Sequence, residues 1–150
     1  MIIVLACDTF STHNNGTTIS AQRLVAELRK KGHEVRVITT GEPGEGLYIC
    51  PHYQHGLVST LASWQGVNIG KAVDSVILEA LDGADVVHCY MPFVLSKRVV
   101  KLAKQCGVAC TAAFHCQPED ITYNLGMSSC GFMADFFYWA LREFFYKNVN

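Results

Sequence analysis

The chain has 150 residues, half of them hydrophobic and 17% charged, which suits one domain with a sizeable core and excludes global disorder. Twelve basic and thirteen acidic residues leave a formal net charge of −1, which excludes a strongly basic surface for nucleic acid. Seven cysteines, an odd number with no C-x-x-C pair, argue against a disulfide framework and for a reducing cytoplasm.

The run Ile2, Ile3, Val4, Leu5, Ala6 is continuously apolar and stops before Asp8, so it predicts a strand over 2–6, buried on both faces. No basic segment precedes it, so no signal peptide is expected. No stretch reaches the roughly 18 apolar residues that span a bilayer. The expected protein is soluble or at most peripheral. Residues 9–16 are polar and turn-rich. A helix follows, capped by Thr17 or Thr18, with Ala21, Leu24, Val25 and Leu28 on one face and Gly32 as its terminating residue. The cluster Arg29, Lys30, Lys31 suits the negative end of that helix. Residues 34–40 alternate and are β-branched, which predicts the second strand of a βαβ unit.

Further along, residues 41–46 form a loop and 47–50 a short strand stopped by Pro51; residues 52–68 carry no clear pattern. Spacing predicts a helix over 70–81, a strand over 85–89, a helix over 95–105 ended by Gly107, and a strand over 108–114. A last helix over 132–146 bears aromatic residues on nearly every side, so it expects burial or an interface. A truncated domain is the expectation there. Strands alternating with helices predict an α/β fold: a doubly wound, mostly parallel, Rossmann-like sheet.

Ligands of such sheets bind beyond the carboxyl ends of the strands. Three segments lie there: 7–16, 90–93 and 115–120. In the first, Asn14, Asn15, Gly16, Thr17 and Thr18 stand before a helix, where backbone N–H groups and the helix dipole favour an anion such as a phosphate. A plain turn with a helix cap fits the same residues. Neither G-x-G-x-x-G nor G-x-x-x-x-G-K-[S/T] occurs, which argues against the dinucleotide fingerprint and the P-loop. A flavodoxin-like hydroxyl loop from Thr9, Ser11 and Thr12 is offset from the helix start. His115 ends the fifth strand and can hydrogen-bond a sugar hydroxyl or polarise a reacting group. His88 ends the strand before it and fits a packed residue, with Tyr90 shaping the adjoining loop. Glu119 and Asp120 are adjacent and point apart in an extended chain, unlike a glycosidase pair. Cys50, His52 and His55 lack a second ligand pair at finger spacing, so no metal site is expected.

In sum, the stretch from Asp8 to Gly16, the run from Leu24 through Gly32-His33-Glu34-Val35 to Thr40, Asp85-Val86-Val87-His88 and Phe114-His115 resemble the start of retaining GT-B glycosyltransferases of family four. The resemblance spans nearly the whole chain. It implies an amino-terminal, acceptor-side domain over 1–150, whose nucleotide-sugar domain lies outside this chain. The complete enzyme would transfer a hexosyl group from a nucleotide-diphosphate sugar, with retention and without a metal or other cofactor, and this half would be inactive alone. The family's glycine loop contacts the donor diphosphate. Gly16 matches its second glycine, Asn15 replaces the first, and Thr17 follows. His115 matches the family histidine that faces the donor sugar; Asp8, His88, Tyr90 and Glu119 would lie near donor or acceptor. The segment 115–124 is similar to bacterial glycolipid synthases, which implies a lipid or carbohydrate acceptor and contact with the inner face of a membrane. The competing expectations are a stand-alone Rossmann-like module binding a phosphate ligand or a protein, and a flavin or nicotinamide domain.

Overall fold

The computed structural model describes residues 1–11, 16–53, 68–115, 123 and 131–149. Five strands, all parallel, form one sheet in the order β3-β2-β1-β4-β5. They are β1 (Ile2–Thr9), β2 (Glu34–Thr40), β3 (Leu47–Ile49), β4 (Val86–Cys89) and β5 (Ala109–Ala112). The helices are α1 (Gly16–Lys30), α2 (Asp74–Leu81), α3 (Val94–Gln105) and α4 (Gly131–Phe144), the last followed by a 3-10 turn over Tyr146–Asn148. This is the expected α/β, Rossmann-like arrangement.

Period-two alternation divides the core between the two sheet faces. Val4 and Ala6 of β1 and Val87 and Cys89 of β4 pack with Ile77 of α2 and Leu95 and Val99 of α3. Leu5 and Cys7 face the other way, against Ala21 and Val25 of α1. Both faces of β1 are therefore covered, which is why its run is continuously apolar. Cys7, Cys50, Cys89 and Cys110 are buried free thiols, serving as small hydrophobes.

Helix α1 ends as its sequence predicts. Gly32 has φ +81°, its N–H bonds to Arg29 O, and the N–H of His33 reaches back to Leu28 O at 3.2 Å. That double closure needs a residue comfortable in the left-handed region.

Several boundaries differ from expectation, each for a stated reason. Strand β1 continues through Asp8 and Thr9, because a bulge between Ala6 and Thr9 lets both polar residues find partners beyond the sheet. Helix α1 begins at Gly16, so Thr17 and Thr18 lie in its first turn and do not cap it; Thr18 Oγ1 donates to Thr9 O of β1 at 3.1 Å. Helix α2 starts at Asp74, not residue 70, because Lys71 N donates to Pro51 O at 2.7 Å and Gly70 forms a bridge with His52. Strand β5 is confined to Ala109–Ala112. Helix α4 is not buried all round: Phe132, Phe136 and Trp139 are exposed, while Phe145 just beyond it enters the core. Among the described residues no helix is long and apolar enough to cross a membrane.

Neighbouring positions on α2 provide a test of this packing. Ile77 is fully buried, whereas Leu78 is 43% exposed. Ile77→Ala should lower the unfolding free energy by about 2–5 kcal/mol, and Leu78→Ala by no more than about 0.5 kcal/mol, as measured by urea denaturation.

Candidate functional site

The switch in strand order lies between β1 and β4, since the chain runs outward from β1 to β3 on one side and from β4 to β5 on the other. Such a switch opens a crevice at the carboxyl ends of the strands. Helix α1 begins there. Its first N–H groups have no intrahelical acceptor, and the dipole places about half a positive charge at that end. Among the described residues, a Cβ added at Gly16 would meet nothing within 4 Å.

The turn is fixed to the sheet from below. Besides the Thr18 bond to Thr9 O, Gln22 Nε2 donates to Phe10 O. At the far side Ser20 Oγ meets the Tyr90 hydroxyl at 2.9 Å. Tyr90 follows β4, and its ring is buried with Leu5 and Cys7 on the α1 face. Above it lies His115, exposed, with ring centroids 4.5 Å apart and planes inclined by 25°. His88 approaches the same tyrosine edge-on at 5.7 Å. Three of the expected site residues, His88, Tyr90 and His115, are thus brought together beside the start of α1, where Gly16 and Thr17 stand.

His88 is the packed member of the trio. Its Nδ1 lies 2.9 Å from Thr111 Oγ1. The Thr111 hydroxyl donates to Val87 O at 3.3 Å, leaving its oxygen to accept from Nδ1–H. Burial first, and the charge of His115 second, hold the His88 imidazole below its ordinary range.

Asp8 lies elsewhere. It is fully buried, and its Oδ1 accepts the Gly70 N–H at 2.8 Å. A Cβ at Gly70 would stand 2.8 Å from Leu95 Cδ2 and 3.2 Å from Asp8 Oδ1, so only glycine lets the backbone come this close to the carboxylate. Leu95 belongs to the core on the opposite sheet face from Tyr90. Asp8 is therefore not joined with His88, Tyr90 and His115. The next residue shares its role: Thr9 Oγ1 accepts Asn68 N–H at 3.0 Å. The carboxyl end of β1 tethers the 68–70 segment through two successive side chains, an arrangement the bulge permits.

Asn15 and Glu119 lie outside the described residues. The sequence placed Tyr90 in an adjoining loop near donor or acceptor without its role as a support for His115, and it did not point to Ser20. The available signal was weak: a tyrosine directly after a buried strand needs a partner for its hydroxyl. Also missed was an apolar cleft of about 460 Å³ between Phe114, Tyr138, Trp139, Arg142 and Tyr146, next in the chain to His115. Among the described residues, no group of three or more His, Cys, Asp or Glu side chains is placed to hold a metal ion.

Burial raises the Asp8 carboxyl from 3.8 to about 7, with the Gly70 N–H bond opposing the shift. The folded chain then binds more protons than the unfolded chain between those values, so this residue's contribution to stability falls as pH rises from about 4 to 7 and is level above. Asp8→Asn, which keeps an oxygen for Gly70, should remove that decline. Comparing urea midpoints of the two proteins at pH 5 and pH 8 checks it; parallel pH profiles would contradict it.

No curated protein matches the chain in a sequence comparison. A model of one family, described as Glycosyltransferase Family 4, matches residues 14–150. That span contains the start of α1, Tyr90 and His115, and it covers strands β2 to β5 while beginning after β1. The match takes in well over half of the chain, and with the parallel five-stranded sheet described above the chain belongs to Glycosyltransferase Family 4 and is a glycosyltransferase domain.

Proposed function

We propose that the chain is the acceptor-side half of a two-domain GT-B enzyme that transfers a hexosyl group, with retention, from a nucleotide-diphosphate sugar to an acceptor hydroxyl. The observation that carries this reading is the amino end of α1 at the β1/β4 switch point, with His115 stacked on Tyr90, whose hydroxyl meets Ser20 of that helix. The difficult part of the reaction is the negative charge that gathers on the departing diphosphate. N–H groups already fixed in the first turn of α1 stabilise that charge without reorganising. In this reading Gly16 and Thr17, with Asn15, contact the diphosphate, and His115 hydrogen-bonds the donor sugar.

The remaining residues take supporting roles. His88 and Tyr90 build the floor under His115. Asp8 acts at one remove, by holding the 68–70 segment. Glu119 follows His115 in the chain and belongs near donor or acceptor. The second wall of the site, with the nucleotide pocket, comes from the nucleotide-sugar domain, and this half is inactive alone. The same reading places the enzyme in the cytoplasm, with a lipid or carbohydrate acceptor. The exposed Phe132, Phe136 and Trp139 then form a face for the inner surface of a membrane.

The test uses the chain together with its downstream coding sequence. Incubated with UDP-glucose, UDP-galactose or GDP-mannose and candidate lipid or sugar acceptors, it should release nucleoside diphosphate, and the product should keep the donor's anomeric configuration by NMR. His115→Ala should lower kcat by about 10²-fold. An inverted product would contradict the mechanism, and full activity without His115 would contradict the site. Tight binding of a phosphate ligand by residues 1–150 without turnover in any form would favour a stand-alone module.

A further inference from the structure

We propose that Tyr90 is a positioning residue that sets the His115 imidazole at a fixed place relative to the amino end of α1. The inference deepens the transfer reading above and rests on it for its catalytic consequence. Its structural content stands on two contacts and one absence. The Tyr90 hydroxyl is held by Ser20 of α1. The Tyr90 ring is buried, 4% exposed, between the sheet core and His115. Among the described residues the His115 side chain takes part in no hydrogen bond, so the stack on Tyr90 is what orients it.

The geometry explains why this matters. Imidazole donates and accepts in the plane of its ring. With the two planes only 25° apart, both His115 nitrogens are directed along the face of the Tyr90 ring and not into it. Tyrosine suits this position because its flat face supports the imidazole while its hydroxyl reaches Ser20. One side chain thus connects the helix that would hold the diphosphate with the histidine that would hold the sugar. A misplacement of about 1 Å in such an arrangement can cost roughly 10²-fold in rate. His88, edge-on to the same ring, limits its tilt from the sheet side.

The experiment is NMR of the chain with labelled histidine, without any donor. The His115 ring signals, assigned by their loss in His115→Gln, should lie upfield because they sit over the Tyr90 ring. Tyr90→Leu should abolish that displacement, while the His33 and His52 signals stay in place. Tyr90→Phe and Ser20→Ala should each reduce it partly, and the double variant should match either single one, since both cut the same hydroxyl contact. If Tyr90→Leu does not fold, the Phe and Ala variants carry the test. Unchanged His115 signals in folded variants, or additive effects of Tyr90→Phe and Ser20→Ala, would overturn the proposal. In the extended enzyme, Tyr90→Leu should lower kcat by about tenfold or more with donor KM little changed, and Tyr90→Phe should recover most of it. A rise in KM at constant kcat would overturn the positioning role. The stack is read without a donor, so its loss and the failure of the transfer reading are separate results.

Discussion

The carboxyl end of β1 is the point on which the rest of the structure depends. β1 is paired on both edges and covered on both faces, so its polar end cannot turn to water for hydrogen bonds. It finds them in its neighbours instead. Asp8 and Thr9 accept from the 68–70 segment, Thr18 of α1 donates to Thr9 O, and Thr40 of β2 donates to Asp8 O at 2.7 Å. An unpaired buried polar group costs about 1–3 kcal/mol. These bonds therefore fix where α1 starts and where the crevice opens.

At this end of β1 one buried side-chain atom is left over. Asp8 Oδ2 has no hydrogen-bond partner among the described residues. A protonated carboxyl tolerates that position better than a charged one, which is the physical reason its pKa is raised. The carboxyl works as a structural tether on the α2–α3 face, while the candidate chemistry is gathered on the α1 face. The sheet keeps the two apart, so changes at Asp8 and at His115 should act on different properties.

Much of this fold could be read in the chain order of residues. A continuous apolar run marked β1, spacing marked β4, alternation marked β2, and Gly32 and Gly107 marked helix ends because their backbones need positive φ. The legible features share one property: their physics is local. The bulge in β1 accommodates the Asp8 contact with Gly70, 62 positions away, and the late start of α2 follows from the bonds of residues 70 and 71 to the distant 51–52 segment. The pairing of Ser20 with Tyr90 spans 70 positions. His115 could be assigned to a strand end, but nothing in its neighbourhood in the chain announced the ring beneath it. Helix α4 was legible only in part for a related reason, since its aromatic pattern demands a partner without saying which face is covered.

In the proposed function the amino end of α1 is an anion site shaped for a diphosphate. Titration of the labelled chain with inorganic pyrophosphate, followed by amide NMR, tests that claim directly. The backbone signals of Gly16, Thr17 and Thr18 should shift in a saturable way, while those at the starts of α2 and α3 stay in place. No shift at residues 16–18, or equal shifts at every helix start, would contradict it.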